Sequence, residues 1–162
     1  MQANFKVGDK AVHPKHGVGE VTEIESREIA GKKASFYVLK VLDTGMKLMV
    51  PTETADRVGL RTVISKKDAG KVLEILKSTD VAVTAQPWNR RQREYTEMLM
   101  SGSPFKVAKV LRDLSRLKGG KDLSFGERRL LDQARSLLVT EVALARKVKE
   151  DHIQKEILEI FA

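Results

Sequence analysis

The stretch Phe5-Lys-Val-Gly-Asp-Lys-Ala-Val-His-Pro-Lys-His-Gly-Val-Gly-Glu-Val21 decides what the first third of this chain can be. Its β-branched residues come in short runs broken by glycine and proline, the pattern of strands joined by tight turns. Residues 10–14 and 18–25 read as strands, with Gly17 and Gly19 at their connection. Two more runs follow at residues 35–42 and 46–50, after the turns Ala30-Gly31-Lys32 and Asp43-Thr44-Gly45. Four or five short strands in about sixty residues can cover their own core only by curling. Residues 1–62 are therefore expected to form a small Tudor- or SH3-like barrel or curled sheet.

Beyond this region the apolar period lengthens to that of helices. Ser65 with Asp68 resembles a helix start, followed by Val72, Ile75 and Leu76 at helical spacing. Residues 79–86 lack periodicity and lead to Pro87, a favoured first helical residue, whose helix is stopped by Ser101-Gly102. Ser103-Pro104 opens another helix that ends at Gly119-Gly120. Ser124-Phe-Gly-Glu127 fits a capping box, in which serine and glutamate each satisfy a backbone N–H of the first turn. The long helix behind it carries Leu130, Leu131, Ala134, Leu137, Leu138, Val142 and Ala145 on one face, and a last helix spans residues 151–161. The chain reads as α+β with two domains: residues 1–62, and a compact all-helical domain of about five helices over residues 63–162.

The 162 residues are 41% hydrophobic and 32% charged, apolar enough for cores in both parts. Lys and Arg number 30 against 22 Asp and Glu, a net charge of +8 that points to a polyanionic partner. Residues 1–62 hold 10 basic and 8 acidic side chains, whereas residues 88–135 hold 12 and 6. The polyanion is thus expected to meet the helical half. With no cysteine, disulfides and thiolate chemistry are excluded. No apolar run approaches the roughly 18 residues of a membrane span, and the N-terminus lacks an apolar signal core. The expected location is cytoplasmic, with no membrane partner.

No reaction site assembles. His13-x-x-His16 lacks a third ligand nearby, so these histidines read as polar strand-end residues rather than a metal site. Gly17-Val-Gly19 lacks the strand-to-helix context of a phosphate loop. The prominent serines have capping roles, and the carboxylates read as salt-bridging helix surfaces. Neither enzyme activity, cofactor nor metal is expected.

Three features remain. In Met46-Lys-Leu-Met-Val-Pro51, alternation puts Met46, Leu48 and Val50 on one face and Lys47, Met49 and Pro51 on the other. Pro51 cannot donate to a ladder, so this strand should lie at a sheet edge where a partner's strand could dock, unless the helical half covers that face. Second, Pro87-Trp-Asn-Arg-Arg-Gln-Arg93 sets the only tryptophan beside three arginines, a combination that suits nucleic acid. The helical wheel favours the alternative that Trp88, in line with Tyr95 and Leu99, is a core anchor. Arg90 and Arg93 face solvent in either case. Third, Phe125 and Arg129 fall nearly opposite the apolar stripe of their helix. Phe125 there must pack on a neighbouring helix or touch a ligand. Lys106, Lys109 and Arg116 line one side of the preceding helix as a solvated face.

Taken together, the opening stretch, Trp88-Asn-Arg-Arg91, Leu111-Arg-Asp-Leu114, Leu123-Ser-Phe-Gly-Glu-Arg128 and Ala134-Arg-Ser-Leu-Leu138 resemble the CarD/CdnL family of bacterial transcription regulators. The resemblance covers almost the whole chain, and the N-terminal part is also similar to the polymerase-binding module of transcription-repair coupling factors. It implies a Tudor-like domain that binds the RNA polymerase β subunit and a helical domain that contacts promoter DNA. It further implies that Met49 and Pro51, with Arg27 on the neighbouring strand, face polymerase. By the same resemblance Trp88 is exposed, against the wheel, and inserts at the upstream edge of the melted bubble. Arg90, Arg91, Arg93, Phe125, Arg128 and Arg129 form the DNA-facing patch. Gln92 stands where an aromatic is common, and Met49 where other members carry arginine, which makes the polymerase contact more apolar here. The implied activity is stabilisation of the open promoter complex by a nucleoid-associated protein, monomeric when free. The alternative is an SH3-like RNA-binding or ribosome-associated module with a helical extension.

Overall fold

A computed structural model describes residues 5–78, 88–117 and 124–161, with side chains for all of these except 88–90 and 117. The backbone divides into two compact units, Met1–Val63 and Ile64–Ala162.

The first unit is a five-stranded antiparallel sheet of β1 (Lys10–His13), β2 (Gly17–Ile29), β3 (Lys32–Val41), β4 (Lys47–Pro51) and β5 (Arg61–Thr62), in the order β4-β3-β2-β1-β5. It is the small Tudor-like sheet expected from the glycine-punctuated runs. The hairpin of β2 and β3 is longer than its apolar residues suggest, with pairing carried out to Ile29 and Lys32. Its two-residue turn puts Ala30 and Gly31 at φ 52° and 80°. Positive φ at both positions matches the right-handed twist of the strands. A register shift between Val21 and Glu23 marks a bulge at Thr22. The extra residue reverses the parity of β2: Val21 faces the core beside Leu39, whereas Glu23 lies beside Val38 on the other face.

Phe5, Ala11, Val21, Tyr37, Leu39, Val50, Ala55 and Leu60 form the core, and Phe5 meets Tyr37 edge-to-face with ring centroids 5.6 Å apart. A single turn of helix, α1 (Ala55–Val58), returns the chain to β5, which pairs with β1. Gly59 ends α1 at φ 94°, and a Cβ there would stand 2.8 Å from Cγ of Pro14. Both the backbone conformation and the space therefore require glycine. At four and two residues, α1 and β5 are too short to leave a period in the sequence.

The second unit contains α2 (Lys66–Lys77), α3 (Trp88–Met100), α4 (Pro104–Leu117), α5 (Phe125–Arg146) and α6 (Glu150–Ile160). Helix α4 packs against α2, α3 and α5, and buries Val107, Ala108, Val110, Leu111 and Leu114. Full burial of each larger apolar side chain stabilises by about 1.5–3 kcal/mol. The caps expected at Ser65 and Ser124 are present, whereas the expected helix start at Pro87 and helix end at Gly119-Gly120 lie outside the described residues. Ser65 Oγ accepts from the Asp68 N–H at 3.1 Å, and Ser124 with Glu127 forms the reciprocal box that starts α5. Among the described residues no helix is long and apolar enough to cross a membrane.

Two expectations about charged residues change. Arg116 is not part of a solvated face: its guanidinium donates to the carbonyls of Ser78, Leu76 and Lys77 at 3.1–3.3 Å, closing the C-terminal end of α2. Its charge suits the negative end of the helix dipole, and Phe161 stacks 5.4 Å from it. The carboxylates are not all superficial either. Asp113 is buried beside Arg112 at 3.1 Å, and Glu141 is buried on α5. Burial pushes the Asp113 carboxyl above its ordinary pKa, against the pull of Arg112.

Candidate functional site

The sheet unit presents an apolar row at one edge. Among the described residues strand β4 pairs only with β3, which leaves its outer side an open edge, in keeping with Pro51. Cross-strand partners share a face, which gives three successive rows on the outer side: Lys47 with Lys40, Met49 with Val38 and Glu23, and Pro51 with Phe36 and Glu25. Val50 and Leu48 point the other way, into the core. Met49 is 42% exposed, while Phe36 and Pro51 are half-buried beside it. Arg27 lies two residues beyond Glu25 on the same face and is held by it, Nη2 to Oε2 at 3.1 Å. The three residues assigned to this contact thus stand on one face. Phe36, Val38 and Glu25 complete it and were missed, because the bulge at Thr22 had to be known before the register could be read.

The helical unit presents a cationic end. On α5, 100° per residue places Phe125 between Arg128 and Arg129 within one arc, with Asp132 next along it. All four are exposed, Phe125 by 85%. The capping box fixes this first turn, so Phe125 stands in water on a rigid element. Helix α3 packs against α5. The ring of Tyr95 on α3 is buried, and burial raises its pKa, with Asp113 of α4 and Glu127 of α5 adding to the rise and Arg91 opposing it. Tyr95 shares its apolar core with Leu130 and Leu131 of α5, where the two helices meet. Arg91 is half-buried, and Arg93 is exposed. Trp88 and Arg90 lie in the first turn of α3, but their side chains are outside the described residues.

The histidines form a local pair, with ring centroids 5.0 Å apart. Nδ1 of His13 accepts the Lys15 N–H at 3.1 Å, so the neutral ring carries its proton on Nε2 and offers a metal no free lone pair. Burial, then the charges of His16 and Lys15, lower the His13 pKa from its ordinary 6.5. The folded unit consequently binds fewer protons than the unfolded chain just below 6.5, and the His13 contribution to stability is lost as pH falls through that range. The protection factor of the Val21 amide, which donates to the Asp9 carbonyl, should fall between pH 7 and pH 5 once the slower intrinsic exchange at low pH is divided out. His13→Asn, whose side-chain oxygen can replace Nδ1, should flatten that dependence.

Comparison with known proteins agrees with this architecture. Residues 5–64 match the family model of the CarD-like/TRCF RID domain, and residues 71–158 match that of the CarD C-terminal domain. A Bacillus subtilis (strain 168) protein named "Putative transcription factor YdeB" is 29% identical over 150 residues, covering 93% of this chain and 97% of its own. A solved structure, "CdnLNt from Myxoccoccus xanthus", is 55% identical over 40% of this chain and 92% of its own, with a TM-score of 0.34. The N-terminal match is to a polymerase-interacting module, and the C-terminal match alone spans more than half of the chain. The chain belongs to the CarD/CdnL family, and is a transcription regulator that interacts with RNA polymerase rather than an enzyme.

Proposed function

We propose that the sheet edge of Met49, Pro51 and Arg27 binds the β subunit of RNA polymerase, and that the helical unit contacts promoter DNA at the upstream edge of the melted bubble. The result is a longer-lived open complex. The observation that carries this reading is the exposure of Phe125 between Arg128 and Arg129. A ring that size left in water forgoes about 2 kcal/mol of burial, which a bound sugar or base face would recover. The arginines around it supply phosphate contacts that hold position without reading sequence. Arg90, Arg91 and Arg93 extend the patch along α3, and Trp88 occupies the space that the duplex needs to reanneal.

Held on polymerase, the helical unit meets DNA at an effective concentration of roughly mM, so weak intrinsic affinity suffices. The free protein should therefore bind duplex DNA only at about 10⁻⁴–10⁻⁶ M near physiological salt, and more weakly as salt rises. Fluorescence anisotropy with labelled duplex DNA and single-stranded RNA checks this. Sub-micromolar binding of RNA without polymerase would contradict it and favour a stand-alone RNA-binding module.

A further inference from the structure

The outer face of the sheet carries a charge pattern that folding does not account for. Cross-strand pairing sets Lys10 opposite Glu20, Glu20 opposite Lys40, and Lys40 opposite Lys47, in a row across β1, β2, β3 and β4. Glu20 is already engaged, with its Oε1 at 2.7 Å from Nζ of Lys10. That hydrogen bond and the Lys10 charge, with Lys40 adding to them, hold the Glu20 carboxyl below its ordinary pKa. Lys40 and Lys47 are both exposed, so the β4 end of the row sets like charges side by side. Like charges directly opposite each other on neighbouring strands cost a sheet stability. A lysine on an edge strand guards it against pairing with other chains, which accounts for Lys47. It does not account for Lys40, because β3 has a strand on either side.

The neighbouring row gives the lysines a context. Two residues along β4, about 7 Å away, stands the exposed Met49, and Val38 and Glu23 follow it across the sheet. Along the edge, cationic surface therefore gives way to apolar surface with a carboxylate behind it. A nucleic-acid strand suits this poorly, since Glu23 repels phosphate and Met49 gives it no partner. A protein segment suits it well. In an extended segment laid along β4, every second side chain lies on the outer face, at about 7 Å intervals. A carboxylate over Lys40 and Lys47 then stands two positions from the apolar side chain that covers Met49. Glu23 opposes the shift that would bring the carboxylate to the Met49 row, so the charges also fix the register.

We propose that Lys40 and Lys47 together receive a carboxylate of the RNA polymerase segment docked on β4, and that this segment reads acidic-x-apolar, with its apolar residue on Met49. This rests on the function proposed above. The lysine pair supplies steering and register, while Met49 supplies the apolar contact that is buried on binding.

Lys47→Glu in the full chain tests this, because folding and binding should respond with opposite signs. Glutamate opposite Lys40 makes an attractive cross-strand pair, so thermal unfolding should stay level or move to higher temperature. Affinity for polymerase should fall about tenfold at low salt, and the gap to the wild type should narrow as salt rises. Carbodiimide coupling joins a lysine amine directly to a carboxylate in contact with it. In the wild-type complex it should link Lys40 or Lys47 to an Asp or Glu of polymerase that has an apolar residue two positions away, as read by mass spectrometry of the digest. Unchanged affinity, or no link from either lysine to such a carboxylate, would overturn the proposal. So would a tenfold loss of duplex-DNA affinity in the free variant, which would assign the lysines to phosphate. If Met49→Asp also leaves polymerase binding unchanged, the docking edge itself is wrong. If Met49→Asp weakens binding and Lys47→Glu does not, the edge stands and the lysine contact alone fails.

Discussion

Met49→Asp should lower the affinity for RNA polymerase by about a hundredfold while leaving the thermal unfolding of the protein nearly unchanged. Met49 is 42% exposed on an edge strand, so folding depends little on its thioether. In the proposed complex the same position is covered, and a carboxylate there would be desolvated without a partner. Leaving one charge buried and unpaired costs about 3 kcal/mol, and each 1.4 kcal/mol is roughly tenfold in affinity. Glu23 and Glu25, on the same face across Val38 and Phe36, add like-charge repulsion rather than relief. Titration of labelled polymerase with the wild type and the variant measures the difference. A ratio within about twofold would mean that polymerase binds elsewhere.

Trp88→Ala should retain full polymerase affinity yet lose most of the lengthening of the open complex. The wedge need not melt DNA, because polymerase has already done so; it need only penalise closing. Wedges at base steps elsewhere trade unstacking of roughly a few kcal/mol for bent DNA. A penalty of about 1.4 kcal/mol placed wholly on the closing barrier would slow it roughly tenfold. Alanine removes the bulk and leaves the arginines, so the residual effect should become more sensitive to salt. Equal lengthening by the variant would show that phosphate contacts suffice.

Glycine and cap chemistry made most of the architecture legible in advance. Gly17 and the Ala30-Gly31 turn announced the hairpins, and Ser65, Ser124 and Glu127 announced helix starts that the backbone realises with those side chains. What escaped was set by contacts distant in sequence. The bulge at Thr22 decides which face Glu23, Glu25 and Arg27 occupy, and nothing local marks it. The outer halves of β2 and β3 pair without an apolar face, so alternation could not reveal them. Arg116 and Glu141 looked like surface charges. Their partners, the α2 carbonyls and the Ile64 N–H, lie 38–40 and 77 residues away.

The candidate site was legible to different degrees. Phe125 could be placed opposite the apolar stripe by arithmetic alone, and it is the most exposed of the large apolar side chains described. The edge position of Pro51 followed from its missing N–H. Burial of Trp88 could not be decided from periodicity, since a first-turn residue can share the angular position of a core stripe and still project past its end. The role of Trp88 came from family resemblance alone, and its chemistry is best settled by the variant.

The measurement that bears most directly on the account is the lifetime of competitor-challenged open complexes on a ribosomal promoter, with and without this protein. The account predicts a lifetime lengthened about tenfold by the wild type, with the effect weakening as salt rises. An unchanged lifetime across salt and several promoters, with polymerase demonstrably bound, would contradict it.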